Sequence, residues 1–192
     1  KEFYQKNNLP TAPFYLVEKP EQIKHEFPFV QKLRKGGYDG KGVLVVNDAA
    51  DMSRIFEAPS VIEDRVAIAA EIAVITARNN SGEIKSYPVV EMQFNTEANL
   101  VELLFSPAKT SASLQQKAIS IAENLISKLN MVGLLAVEMF VTKEGQVLIN
   151  EIAPRPHNSG HHTIEANHTS QFEQLLRAIL NLPLGNTAIV LP

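Results

Sequence analysis

The sequence contains no cysteine, and this absence excludes disulfide bonds and thiolate metal sites. It is consistent with a reducing compartment, so we expect the protein to be cytoplasmic. No apolar run approaches the length of a membrane span, and no stretch is basic enough to form a nucleic-acid surface. We therefore expect small-molecule partners, with neither a membrane nor a nucleic acid among them.

The two ends of the sequence lack the features of natural termini. Residues 1–6 contain neither the apolar core of a signal peptide nor an initiator methionine. Residues 186–192 finish on an apolar run with no evident stop. From these two observations we expect the chain to be a fragment of a longer protein.

The apolar pattern predicts a mixed fold. Apolar residues make up 45% of the chain, which is enough for a hydrophobic core. The net charge is only −3. Apolar periodicity predicts strands over residues 14–17, 29–33, 43–46, 60–63, 67–78, 83–90, 100–105, 133–141 and 146–152. It predicts helices over residues 1–8, 19–26, 48–56, 111–129 and 170–180. Antiparallel hairpins covered by helices indicate the α+β class.

The run of residues 149–161 is the most chemically dense stretch of the chain. It follows an apolar strand and contains a carboxylate, two amides, an arginine and two histidines. Arg155, His157, Asn158 and Ser159 together suit a small planar anion, such as a carboxylate or bicarbonate. The alternative is a loop whose asparagine and serine side chains bond their own backbone.

Three glutamates lie within strands that are otherwise apolar. Glu138 and Glu151 lie on the two strands of one predicted hairpin, where facing carboxylates repel each other. A divalent cation between them removes that repulsion, and oxygen ligands without thiols favour Mg²⁺ or Mn²⁺. The alternative is that each glutamate pairs with a lysine or an arginine. Glu71 shares one face of its strand with Ala73 and Ile75, so it points inward.

A glycine-rich loop lies between two of the predicted strands. Residues 36–42 contain four glycines, and Lys32, Arg34, Lys35 and Lys41 surround them with positive charge. Glycine lets backbone N–H groups approach a ligand closely, so this loop suits a polyphosphate. The alternative is a flexible hairpin with solvated lysines, because a glycine-rich loop alone is weak support for phosphate binding.

These residues resemble the ATP-grasp superfamily and, within it, the N5-carboxyaminoimidazole ribonucleotide synthetases of purine synthesis. The resemblance is carried by residues 36–42, 87–91, 132–140, 150–161, 163–166 and 169–173. It implies two α+β subdomains whose antiparallel sheets sandwich ATP. It also implies that ATP phosphorylates bicarbonate to carboxyphosphate, which carboxylates the exocyclic amine of aminoimidazole ribonucleotide.

The resemblance implies a role for each matching residue. ATP contacts are implied for Lys32, for Gly37, Tyr38, Asp39, Gly40, Lys41 and Gly42 of the loop, for Glu63, Asp64, Arg65 and Val66 of the adenine hinge, for Glu71 at the ribose, and for Asn150 and Glu151. Mg²⁺, or Mn²⁺, is implied at Glu138 and Glu151. Bicarbonate and the imidazole nucleotide are implied at Arg155, His157, Asn158, Ser159, Tyr38, Asp39 and Lys41.

The chain also departs from the family pattern at several positions, among them Gln31 and Leu33 on either side of Lys32. It has Val43 where glutamine is usual, and Phe94 where many members have a histidine near the nucleotide. The resemblance implies a further domain on each side of this region, which we expect to lie outside the given sequence, and it implies a dimer. We accordingly expect a small subdomain over residues 1–66, a large one over residues 67–192, and a homodimer for the full-length protein.

Two other functions stay open on the sequence. One is a different ATP-grasp ligase, such as a biotin carboxylase or a formate-using purine enzyme, although residues 154–161 speak against it. The other is a nucleotide-binding module without turnover, although Lys32, Glu138 and Glu151 are all present.

Overall fold

In the computed structural model the chain forms two antiparallel sheets with helices against them, and the structure describes residues 1–37, 41–95 and 100–190. The strands are β1 (Phe14–Val17), β2 (Phe29–Leu33), β3 (Val43–Val46), β4 (Ser60–Asp64), β5 (Ile68–Arg78), β6 (Ile84–Ser86), β7 (Val90–Asn95), β8 (Leu100–Phe105), β9 (Gly133–Thr142) and β10 (Val147–Ala153). The helices are α1 (Glu2–Lys6), α2 (Ala112–Lys128), α3 (Thr163–Ala166) and α4 (Gln171–Ile179). The predicted α+β class is confirmed.

The smaller sheet has the strand order β1-β4-β2-β3. Its core contains Phe29 of β2 and Ile62 of β4. Gln31 is also buried on β2, where its amide donates to the Phe56 carbonyl at 3.0 Å. Because side chains alternate along a strand, Lys32 projects from the opposite face of the sheet. The alternation of β2 thus directs this lysine away from the small core.

The larger sheet has the strand order β10-β9-β5-β7-β8, and β6 also pairs with β5. Helix α2 begins at the N-cap Ser111 and packs its buried face against Ile72 and Val74 of β5. The same strand alternation places Glu71 of β5 and Glu138 of β9 on the face away from α2. Helix α4 covers one end of this face of the larger sheet. Glu71 and Glu138 lie at the opposite end of the same face.

The segment before β1 packs with the larger sheet. Tyr4 and Leu9 belong to the core that α2 covers, and Thr11 forms a parallel bridge with Ile149 of β10. In the sequence, the strands of the smaller sheet precede residue 66 and those of the larger sheet follow residue 67. Helix α1 also precedes residue 66, but it packs with the larger sheet. The boundary given by the sequence stays a prediction.

Two local predictions were wrong, and a third was right in position although the helix is of the 3-10 type. The helix expected over residues 19–26 is only a short 3-10 turn, Pro20–Gln22, and the Lys24 N–H donates instead to the Tyr15 hydroxyl at 2.9 Å. Residues 48–56 form a 3-10 helix, Ala49–Arg54. The strand expected over residues 83–90 stops at β6, because Pro88 lacks the N–H that a ladder needs. Helix α3 was not predicted.

The part of the chain that the structure describes contains no helix with both the length and the apolar character that crossing a membrane requires.

Candidate active site

Glu138 and Glu151 face each other across the hairpin of β9 and β10. They are direct register partners, and the register shifts between Ile149 and Glu151, so Asn150 is an extra residue in β10. A bulge of this kind changes the direction of the side chains around it. The prediction that the two carboxylates share one face of the hairpin is therefore confirmed by the register.

The electrostatics of this pair are unfavourable without a cation. Burial, with smaller contributions from Glu151 and Glu71, raises the pKa of Glu138 to about 7. Burial also raises the pKa of Glu71, which lies two residues along β5 from the register partner of Glu138. The carboxylates of Glu151, Glu138 and Glu71 thus share one face of the neighbouring strands β10, β9 and β5. The sequence had predicted that Glu71 points inward.

Lys32 of the smaller sheet reaches this acidic face. Its ammonium donates to Asn150 Oδ1 at 2.6 Å and lies 3.4 Å from Glu63 Oε2. Glu63 at the end of β4 is almost fully buried, with 3% of its surface exposed. Lys32 therefore joins the two sheets at the point where the carboxylates of Glu138 and Glu151 are presented.

The side chains of the predicted hinge residues Asp64 and Arg65 do not point into the cleft. Asp64 Oδ1 lies 3.2 Å from His25 Nε2, and Arg65 donates to Asn47 Oδ1 at 2.8 Å. Both residues are exposed, and Val66 is half-buried. Because the side chains of Asp64 and Arg65 bond elsewhere, a contact between residues 64–66 and a nucleotide base would involve their backbone groups.

The loop after β10 is held in place by the start of helix α4. The His157 N–H donates to Gln171 Oε1 at 2.9 Å, and Gln171 Nε2 donates back to the His157 carbonyl at 2.8 Å. Thr163 donates to the Gly160 carbonyl at 2.6 Å and accepts from the Gln171 N–H at 2.9 Å. These buried groups fix the loop backbone, and nothing in the sequence pattern singled out Gln171.

His157 is a buried, neutral histidine beside the acidic pair. Its Nε2 lies 3.3 Å from Glu138 Oε1, and its Nδ1 lies 2.9 Å from Ser159 Oγ. Burial, reinforced by the charges of Arg155 and His161, lowers the pKa of His157 to about 4. The imidazole is therefore uncharged at neutral pH, and it orients the Glu138 carboxyl without neutralising its charge.

We predict that Gly160→Ala destabilises the protein by about 2–3 kcal/mol, because overpacking a filled core has costs of this size. An added Cβ would lie 2.2 Å from Ile75 Cδ1 and 2.7 Å from Gln171 Oε1. Urea denaturation measures the loss. The control is Gly82→Ala, whose Cβ meets nothing within 4 Å but whose φ is +88°. A smaller loss at Gly160 than at Gly82 would contradict the prediction.

The described residues of the glycine-rich loop, 36, 37, 41 and 42, lie across the cleft from the acidic face. Gly36 and Gly42 have φ of +78° and +87°, which side-chain-bearing residues rarely adopt. A Cβ at Gly37 would approach the Lys41 carbonyl at 3.0 Å, so the loop backbone is tightly folded there. Tyr38, Asp39 and Gly40, for which contacts with ATP and the acceptor were predicted, lie outside the described residues.

A cleft of about 660 Å³ brings these elements together. One wall carries Lys32 with Gly36, Gly37, Lys41 and Gly42, and the other carries Glu138, Glu151, Arg155, His157, Asn158 and His161. The volume is in the range of small-molecule sites. The side chain of Phe94 lies outside the described residues, and Ser159 is buried behind the cleft wall. His161 lines the cleft but was not predicted as a site residue.

The residues present fit a hard divalent cation such as Mg²⁺. Glu138 and Glu151 supply two carboxylates, and the neighbouring Asn150 supplies an amide oxygen. Over residues 1–37, 41–95 and 100–190, no three His, Asp or Glu side chains converge as a complete metal cage. Mg²⁺ commonly takes one or two carboxylates and completes its shell with water and substrate phosphates, so two carboxylates suffice.

The fold and the cleft define the class of protein. Two antiparallel sheets face one cleft, with a lysine and a glycine-rich loop on one side and paired glutamates on the other. The ATP-grasp domain family matches residues 2–172. The chain belongs to the ATP-grasp family, and the fold implied by the resemblance is confirmed.

Within this family the chain is similar to N5-carboxyaminoimidazole ribonucleotide synthases. The enzyme of that name from Bacillus subtilis (strain 168) is 39% identical over 201 residues, which cover 100% of this chain and 52% of that protein. The crystal structure of the synthetase from Thermotoga maritima is 43% identical with a TM-score of 0.87, covering 98% of this chain and 49% of that one.

A third similar protein was solved with ligands. The N5-carboxyaminoimidazole synthase of Aspergillus clavatus in complex with ADP and 5-aminoimidazole ribonucleotide is 29% identical with a TM-score of 0.85, covering 98% of this chain and 52% of that one. The chain thus spans about half the length of the proteins that it matches.

Proposed function

We propose that the protein uses ATP and bicarbonate to carboxylate 5-aminoimidazole ribonucleotide, giving N5-carboxyaminoimidazole ribonucleotide. In this reaction a bicarbonate oxygen attacks the γ-phosphorus, which gives carboxyphosphate and ADP. The exocyclic amine then bonds to the carboxyl carbon and loses a proton as phosphate leaves. The observation that carries the proposal is the single cleft in which Lys32, the paired glutamates and Arg155 meet. The three similar synthases support the choice of substrates.

The ATP side of the cleft is assigned to the smaller sheet and its glycine loop. Lys32 and the loop at Gly37, Lys41 and Gly42 surround the space where a triphosphate would lie. Residues 63–66 are assigned to adenine, mainly through backbone groups, and Glu71 to the ribose. Positive charge and open backbone N–H groups are the features that bind polyphosphate.

The phosphoryl transfer is assigned to the acidic pair. A Mg²⁺ ion held by Glu138 and Glu151, with help from Asn150, would neutralise charge on the phosphoryl group being transferred. His157 keeps the Glu138 carboxyl in a fixed orientation. Because Lys32 is hydrogen-bonded to Asn150, a residue assigned to phosphate binding contacts the residue directly before Glu151.

The acceptor side is assigned to the loop after β10. Arg155 and Asn158 are exposed to the cleft, and a guanidinium fork matches a planar carboxylate such as bicarbonate. His157 and Ser159 support this loop from the buried side. The contacts with the imidazole nucleotide beyond these residues are assigned to the other half of the full-length protein, which we propose to be a cytoplasmic homodimer.

Release of ADP by the full-length protein tests the proposal. We expect ADP formation to require both bicarbonate and aminoimidazole ribonucleotide. ADP release that depends on neither substrate would contradict the proposal. ADP release that depends on a different carboxylate would favour another ATP-grasp ligase, and ATP binding without any ADP release would favour a nucleotide-binding module.

A further inference from the structure

Glu63 is a buried carboxylate that lies between two lysines. Its Oε2 atom is 3.3 Å from Lys1 Nζ and 3.4 Å from Lys32 Nζ. Its Oε1 atom is buried and has no hydrogen-bond partner in the part of the chain that the structure describes. These three side chains combine one carboxylate with two ammonium groups, a formal net charge of +1, next to the carboxylates of the acidic face.

Lys1 is held rigidly in this cluster. Its ammonium donates to Thr11 Oγ1 at 2.7 Å and to the Ile149 carbonyl at 3.3 Å, and Thr11 also donates to that carbonyl at 2.9 Å. Only 11% of its side chain is exposed. Burial lowers the pKa of Lys1 to about 8, against the opposing effect of Glu63, so Lys1 is largely charged at neutral pH. Its contacts place it on the side of Glu63 away from the main cleft.

Lys32 differs from Lys1 because it faces the cleft. Its side chain is 21% exposed, and it lines the space shared with the glycine loop. The Glu63 carboxylate can neutralise only one of the two lysines. While Lys1 contacts Glu63, the positive charge of Lys32 remains available to an anion. Without Lys1, Lys32 and Glu63 would form a neutral buried pair, and an anion would have to compete with Glu63 for Lys32.

We propose that Lys1 is a positioning residue for the anion-binding site: it pairs with Glu63 and thereby leaves the charge of Lys32 directed at the nucleotide phosphates. The inference rests on the proposed function in one respect, namely that Lys32 binds phosphate. It assigns a role to a residue that lies 31 positions before Lys32 in the sequence.

Titration calorimetry with ATP and with adenosine, on the wild-type protein and on Lys1→Met, tests this role. We expect Lys1→Met to weaken ATP binding about tenfold, the scale of one lost charge interaction, and adenosine binding less than about twofold. Lys1→Gln is expected to give the same selective loss, and Lys1→Arg to restore most of the ATP affinity. Lys6→Met, at an exposed lysine in the last turn of helix α1, which Lys1 precedes, is the matched control and should change neither affinity.

The outcomes separate this inference from the proposed function. If Lys1→Met and Lys1→Gln weaken adenosine as much as ATP, Lys1 only supports the fold and the inference is wrong. If both variants bind ATP as the wild type does, the inference is also wrong while the proposed function stands. A wild-type protein that binds no ATP would contradict the proposed function itself.

Discussion

Glu151→Gln is expected to abolish ATP hydrolysis by the full-length protein, with a loss of about a thousandfold or more, because charge neutralisation at the phosphoryl group contributes several kcal/mol. Glutamine keeps the shape of the side chain but removes the negative charge that a cation needs. Glu151 is exposed at the cleft and lies opposite Glu138, so the fold should not depend on it. Turnover of ADP, measured at saturating substrates, gives the size of the effect.

The melting temperature separates loss of chemistry from loss of structure. It should equal or exceed the wild-type melting temperature, because the substitution removes the repulsion between Glu151 and Glu138. The pKa of Glu138 should fall but stay above its ordinary value, because burial is the larger cause of its shift. The matched control is Glu144→Gln at the exposed turn of the same hairpin, which should turn over normally. Wild-type turnover in Glu151→Gln would show that the metal assignment is wrong.

Arg155→Ala is expected to remove bicarbonate-dependent ADP release, by about a hundredfold or more, while ATP affinity changes less than about twofold. The side chain lies on the cleft wall that carries the acidic pair, across from the glycine loop. Its Nη1 donates to the Pro156 carbonyl at 2.9 Å, which steadies the guanidinium and leaves its other N–H groups for an anion. Steady-state ADP release and ATP titration measure the two quantities separately.

Arg155→Lys distinguishes geometry from charge at this position. Lysine keeps the charge but lacks the planar fork, so an intermediate loss of about tenfold is expected. Arg54→Ala, which removes an exposed arginine from the 3-10 helix outside the cleft, is the control. If ATP affinity falls in Arg155→Ala, then Arg155 contacts the nucleotide and its assignment to bicarbonate is wrong.

Most strands could be predicted from the sequence because their signal is local. The period-two pattern of each strand determines which of its side chains share a face. In β2 it places Lys32 on the face away from the small core, and in β5 it places Glu71 on the face away from α2. The pairing of Glu138 with Glu151 was predictable for the same reason, since a short turn joins the two strands of their hairpin. Helix α2 followed from its helical spacing of apolar residues.

The failures came where local pattern and tertiary contact disagree. Residues 19–26 contain a favourable start for a helix at Pro20, yet the segment forms only the 3-10 turn Pro20–Gln22, and the Lys24 N–H bonds to the Tyr15 hydroxyl instead of a helical carbonyl. Such short segments have little intrinsic stability, so their environment decides their conformation. The strand over residues 83–90 is an exception, because Pro88 is a local signal that divides this stretch between β6 and β7.

The sequence by itself determined the α+β class, the faces of the strands and the chemistry available in residues 150–161. Only the tertiary structure decided which residues distant in the sequence contact one another at and around the cleft: Lys32 with Asn150, Lys1 with Glu63, and Gln171 with the backbone of His157. The physical reason is that periodicity reports how a residue faces its own element. A contact between two sheets depends instead on chain closure and packing, which leave no repeat in the sequence.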